Sequence, residues 1–262
     1  MAEYEHYQAI SVQKSGGVAT VTMKRPEVLN AINVRMRQEM EDVWGKIAAD
    51  SEVNAVVLTG AGRAFCAGGD IQEMNTGEAF RHADPMRGES IPQRMLEVPQ
   101  PIVCAINGDA VGLGATIALL CDVTFIADTA RIGDPHVRVG LVAGDGGAVV
   151  WPLLVGLARA KEYLLTGDLI PAREAERIGL VNHVVPAGEV LARATEFARR
   201  LAEGPSLAIR WTKLSINKHL RQAVNLVLDA SMAVELLTAR SDDHREATRA
   251  FLDKRPPQFK GR

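Results

Sequence analysis

The chain has 262 residues, 47% of them hydrophobic and 24% charged, which suits a globular protein large enough for one α/β domain or a core with a helical appendage. A net charge of −2 offers no electrostatic footprint for a nucleic acid or an anionic membrane, so neither partner is expected. Its three cysteines, Cys66, Cys104 and Cys121, sit in apolar surroundings without CxxC spacing. That fits a reducing compartment. The N-terminus lacks the basic and apolar regions of a secretory signal, and Gly, Asp or Pro breaks every apolar run well before the roughly 18 residues of a membrane span. The expected location is therefore the cytoplasm.

In chain order, Tyr7–Val12 and Val18–Lys24 alternate or carry β-branched residues around Ser15-Gly16-Gly17, which predicts a β-hairpin. Asn33 is placed to cap a helix over Val34–Ala49, with Met36, Met40, Val43, Trp44 and Ile47 at helical spacing. Val53–Thr59 is a short valine-rich run and reads as a buried strand. It runs into the turn Arg63-Ala-Phe-Cys-Ala-Gly-Gly-Asp70 and then a helix start at Ile71. Around Ala67–Gly69 such a turn leaves backbone N–H groups free to face a ligand oxygen. The charged stretch Thr76–Ser90 reads as a mobile loop or short helices near the site entrance, followed by a helix over Ile91–Glu97.

The same sequence of strand, glycine-rich turn and helix returns at Pro101–Ile106, Asn107–Gly114 and Ala115–Leu120. Two such turns can place two N–H groups on one carbonyl oxygen. Asp122–Ala127 is a further strand, and Ala130–Gly133 is short and extended. Asp134–Gly147 is a polar, glycine-rich segment between apolar runs, a composition that often carries function inside a compact domain. Helices follow on either side of Gly156, then Pro171–Ile178, and a short strand at Val181–Val185. Beyond Ala187 only helical periodicity remains, over Glu189–Glu203, Ser206–Leu220, Gln222–Ala239 and Asp242–Lys254. The expected organisation is a core of repeated ββα units over residues 1–186 and a helical C-terminal region over 187–262. No GxGxxG, Walker-type or HExxH motif and no clustered His/Cys set is present, so neither a dinucleotide cofactor nor a metal is expected.

The motifs MKRPEVLNAIN, VVLTGAGRAFCAGGDI, PIVCAINGDAVGLGATIALLCD, YLLTGDLIPAREAERIGLVNHVV and FLDKRPPQF together resemble the crotonase (enoyl-CoA hydratase/isomerase) superfamily from near the first strand to the end of the chain. The resemblance implies an α/β fold, a crotonase-like spiral of ββα units with a C-terminal helical trimerisation region. It implies a homotrimer or a dimer of trimers. The substrate it implies is an acyl-CoA thioester, with coenzyme A as part of the substrate and no separate cofactor. It further implies that the N–H groups of Ala67 and Leu113 form an oxyanion hole. Ala64, Gly68, Gly69, Asp70 and Ile71 would line the channel for CoA, and Phe251 and Lys254 would reach CoA, often across a subunit boundary.

One departure bears on the chemistry. The hydratases resembled here use two glutamates; this chain has Thr116 at the first position and His136 at the second. Thr116 cannot act as a carboxylate, and its bland reading is structural. His136 can exchange a proton near neutral pH, or it can be an ordinary hydrogen-bonded loop histidine. Asp145, nine residues beyond His136, can serve catalysis or can cap the helix that follows. Asp134 reads as a turn residue. The pair His136 and Asp145, with Gly146 and Val149–Pro152, is similar to the carbon–carbon bond hydrolases of the superfamily, the oxocamphor hydrolase type. The sequence thus points to an acyl-CoA enzyme of the hydratase/isomerase class with atypical acid/base residues and poor activity on crotonyl-CoA. The alternatives are a C–C hydrolase of a β-diketone or β-keto thioester, and a non-catalytic acyl-CoA-binding protein.

Overall fold

The computed structural model describes residues 4–81 and 90–262. In chain order the elements are β1 (Ile10–Ser15), β2 (Val18–Met23), α1 (Val34–Ala49), β3 (Ala55–Gly60), α2 (Ile71–Thr76), α3 (Ile91–Glu97), β4 (Ile102–Ile106), β5 (Ala110–Val111), α4 (Leu113–Leu119), β6 (Val123–Ala127), β7 (Arg131–Gly133), α5 (Gly147–Thr166), β8 (Ile170–Pro171), α6 (Ala172–Arg177), β9 (His183–Val185), α7 (Val190–Ala202), α8 (Ser206–Thr238) and α9 (Asp242–Leu252).

The strands form two sheets. The larger runs β1-β2-β3-β4-β6-β9 and is parallel except for the β1/β2 hairpin; the smaller runs β5-β7-β8. Each successive turn of the chain gives one strand to each sheet: β4 with β5, β6 with β7, then β9 with β8. The chain therefore winds as a spiral, and its parallel strands are shielded on both faces. Every residue of β3 and of β4 is buried, as the unbroken apolar runs require. Helix α7 covers β3, β4 and β6, while α1 packs on α3.

Local departures from the expected elements have identifiable causes. The first strand starts at Ile10 rather than Tyr7, because the N–H groups of Gln8, Ala9 and Ile10 are bound by the buried Glu39 carboxylate. The helix expected to break near Leu220 continues unbroken through α8, whose sequence contains neither Gly nor Pro. Strand β5 was hidden inside a glycine-rich turn, since two residues show no periodicity. Likewise Pro171, expected at the first position of a helix, ends the two-residue strand β8, and α6 starts at Ala172. Asn33 Oδ1 accepts from Met36 N–H at 2.9 Å and caps α1. Gly156 interrupts α5 with a φ of +77°, a left-handed conformation suited to glycine. The expected loop at Thr76–Ser90 falls largely outside the described residues.

Candidate active site

The first glycine-rich turn is stapled by Asn30, whose side-chain amide donates to Ala61 O, Ala64 O and Phe65 O at 2.8, 2.9 and 3.2 Å. That staple sets which N–H groups of the turn are available. Ala67 N–H donates to Leu29 O at 3.0 Å, and Asp70 N–H donates to Ile32 O at 3.1 Å. Among the described residues Gly69 N–H has no partner. The expected role of Ala67 as a donor is therefore corrected: its N–H is already bound to Leu29 O, and the open N–H lies two residues on. Cys66, at the base of the turn, is buried, and burial pushes its thiol up to about 12. It is thus no nucleophile.

The second turn lies beside the first. Phe65 N–H and Cys66 N–H donate to Asp109 O, and Val111 N–H returns to Cys66 O at 2.9 Å. A Cβ on Gly114 would lie 2.6 Å from Cys66 O, so only glycine allows this approach. Leu113 begins α4, so its N–H has no intrahelical acceptor and stays open. The leucine side chain is buried.

The third wall comes from Asp134–Gly147. His136 opens a 3₁₀ turn, is only 6% exposed, and touches Asp134 through Nδ1. Its Nε2 lies 3.3 Å from Asp145 Oδ2. The other Asp145 oxygen, Oδ1, accepts from Thr116 Oγ1 at 3.2 Å. Asp145 is not a helix cap, because α5 starts at Gly147 with Gly146 as its N-cap and no side-chain cap bond. The result is a chain of contacts, Asp134–His136–Asp145–Thr116. A carboxylate from the following loop meets the residue standing where the family's first glutamate would be.

The charges in this row are fixed by one another. Burial alone would lower the His136 pKa, but the carboxylates of Asp134 and Asp145 outweigh it and hold the imidazolium well above the ordinary 6.5. Burial would raise Asp145, and here His136, then the more distant Arg37 guanidinium and the Thr116 hydroxyl bond, turn the balance and lower it. Asp134, His136 and Asp145 bring one potential metal-ligand atom each within 4.8 Å of one another. No sequence motif announces that cluster. Both ring nitrogens of His136 face carboxylate oxygens, however, so the imidazolium keeps no lone pair for an ion.

These groups share a cavity of about 50 Å³ lined by Gly69, Leu113, His136, Asp145, Arg37 and Glu235. Sequence reasoning missed Arg37 and Glu235, which lie on α1 and α8 about two hundred residues apart. It also read Asp134 as a mere turn residue. Other expected site residues stand apart from the cavity. Ala64 and Gly68 are buried in the first turn, Asp70 caps α2 and pairs with Arg25 at 3.1 Å, and Ile71 begins α2. Phe251 is 62% exposed at the end of α9, Lys254 is exposed just beyond it, and neither lines the cavity.

Two interleaved sheets, paired donor turns and a C-terminal run of helices define a protein of the crotonase-fold class. The comparisons agree. A family model described as enoyl-CoA hydratase/isomerase matches residues 13–262. The short-chain-enoyl-CoA hydratase of Clostridium acetobutylicum is 37% identical over 258 residues, 97% of this chain and 98% of that protein. The 1,2-epoxyphenylacetyl-CoA isomerase of Escherichia coli is 35% identical over 256 residues, 94% of this chain and 96% of that protein. A solved enoyl-CoA hydratase/isomerase from Mycobacterium paratuberculosis superposes with a TM-score of 0.87 at 38% identity, covering 92% of this chain and 97% of that one. The chain belongs to the enoyl-CoA hydratase/isomerase family and is an enzyme of that family. Among the described residues, no helix is long and apolar enough to cross a membrane.

Proposed function

We propose that the protein acts on an acyl-CoA thioester, stabilising an enolate with two backbone N–H groups and moving protons with the Asp145/His136 pair. The observation that carries this reading is that Gly69 N–H and Leu113 N–H are both unpartnered and their residues line the cavity that holds Asp145. The thioester oxygen takes both donors. Each donor is worth roughly 3–4 kcal/mol of barrier as charge develops on that oxygen. The CoA portion follows the first turn past Ala64, Gly68, Asp70 and Ile71. Phe251 and Lys254, exposed and off the cavity, suit contact with the CoA of an adjoining copy in a trimer.

Asp145 is the group that meets substrate. His136 and Thr116 hold it ionised, so it takes a proton from water or from the substrate's α-carbon. The His136 imidazolium returns a proton through Nε2, and Asp134 positions it through Nδ1. This division replaces two glutamates with one carboxylate and one imidazolium. Poor turnover of crotonyl-CoA follows, since the acid/base groups no longer stand as the hydratase pair does.

The test is Asp145→Asn assayed against a panel of enoyl-CoA thioesters. A fall in kcat of about 10²–10⁴-fold is expected, with KM little changed. Unchanged kcat on every turned-over thioester would remove Asp145 from the chemistry. The His136–Asp145 contact also favours a second reading, water activation against a β-diketone or β-keto thioester. Reaction in ¹⁸O-labelled water separates the two: label in a hydroxyl marks hydration, and label in a carboxylate marks C–C hydrolysis.

A further inference from the structure

Arg37 and Glu235 are the charged residues of the cavity that the proton-transfer row does not use. Both line it, Arg37 from α1 and Glu235 from α8. Among the described residues neither the Arg37 guanidinium nor the Glu235 carboxyl makes a hydrogen bond or an ion pair. Both are half-buried on the cavity wall, so a bound acyl group that displaces water from the cavity must leave a polar partner for them or carry the cost of unpaired donors. The approach of Glu235 is built into the loop: its Oε2 would lie 2.7 Å from a Cβ on Gly144, so the bare backbone there is what admits the carboxyl beside Asp145. Ser231 Oγ, one turn earlier on α8, donates to Gly144 O at 2.8 Å and locks loop and helix together.

Burial and the Asp145 carboxylate push the Glu235 carboxyl up to about 8, against the opposing pull of His136 and Arg37. At neutral pH it is a neutral acid with an O–H to donate, while Arg37 offers only N–H donors. The two together make a donor pair with no partner of its own. An apolar acyl chain would leave both unsatisfied. A carboxylate would bring a further negative charge beside Asp145 and Asp134. A neutral carbonyl oxygen accepts from both donors without that repulsion.

We infer that Arg37 and Glu235 form a second carbonyl-binding subsite, so that the preferred acyl-CoA carries a neutral oxo oxygen on its chain, away from the thioester. The inference rests on the acyl-CoA reading and adds to it the chemical class of the acyl group. A volume of about 50 Å³ takes only a few water-sized groups, which calls for a short oxo-acyl chain.

Calorimetric titration of the full chain with hexanoyl-CoA, 5-oxohexanoyl-CoA and glutaryl-CoA at pH 7 tests it. These saturated thioesters differ at the far end of the chain and have no double bond to react. The oxo chain is expected to bind about tenfold tighter than hexanoyl-CoA, with glutaryl-CoA the weakest. Arg37→Met and Glu235→Ala should each reduce the oxo preference to about twofold or less. Glu235→Gln should keep most of it, because the amide still donates. At pH 9 the preference should fall in the parent protein and persist in Glu235→Gln; Asp145, His136, Asp134 and Arg37 are the other charged groups facing that carboxyl. Equal binding of the three thioesters, tightest binding of glutaryl-CoA, or an oxo preference that survives both Arg37→Met and Glu235→Ala overturns the inference while leaving the acyl-CoA reading intact. Failure of every thioester to bind, hexanoyl-CoA included, overturns both.

Discussion

The two sides of the cavity are built from different materials. On one side the paired turns around Gly69 and Leu113 present backbone N–H groups, set by main-chain bonds such as Ala67 N–H to Leu29 O and Val111 N–H to Cys66 O. On the other side the segment Asp134–Gly147 presents side chains, set by charge: Asp134, His136 and Asp145, the last held also by Thr116 of α4. The backbone side tolerates a change of side chain, so a leucine at 113 does not remove a donor. The charged side tolerates little, because each group's protonation depends on its neighbours. A family that keeps the first side and varies the second can hold one kind of carbonyl while changing what happens to it.

The comparison can be broken most severely from the backbone side. Gly114→Val places a Cβ 2.6 Å from Cys66 O and 2.7 Å from Cys66 Cβ, and neither atom can move without shifting the first turn. We expect a loss of about 3 kcal/mol, read as a Tm lower by about 8 °C, together with a fall in kcat of about a hundredfold as the donors separate. Normal kcat in a folded Gly114→Val protein would show that the two turns do not act together.

On the charged side the larger effect belongs to Asp134→Asn, which removes one of the two carboxylates holding His136 protonated. A raised histidine pKa adds stability that is fully present below the ordinary value of 6.5 and declines as pH rises toward the folded value. The parent should therefore exceed Asp134→Asn by about 2 kcal/mol at pH 6, and the denaturation curves of the two should converge as pH rises. A constant gap from pH 6 to 9 would mean that Asp134 acts by packing alone. Thr116→Val is the mildest change, deleting only the hydroxyl on Asp145. It should cost about 1 kcal/mol of transition-state stabilisation, a fall in kcat of up to about tenfold, while displacing the acid limb of the pH profile upward as Asp145 loses one donor. An unmoved limb would show the hydroxyl to be mere filling.

Long-period features were legible in the sequence. Apolar runs such as Val53–Thr59 and Pro101–Ile106 bury on both faces and can only be interior strands, and the glycine-rich turns that follow them announce backbone close to a ligand. The identity of the first donor was not legible. Ala67 and Gly69 stand in the same turn, and what separates them is that Leu29 O, held in place by the preceding loop, reaches one and not the other. Asp145 could be a cap or a catalytic group until its oxygens were found on His136 and Thr116 instead of on the N-terminus of α5.

By itself, then, the sequence determined the recurring strand, turn and helix units and the paired turns, because each is written in local pattern, while the spiral and the loss of the usual glutamates were what its resemblance to a family implied. Only the tertiary structure decided which N–H is open, that Asp134, His136 and Asp145 form one charged row, and that Arg37 and Glu235 meet it from α1 and α8. Those are contacts between residues far apart in the chain, and periodicity carries no information about which side chains the fold brings together.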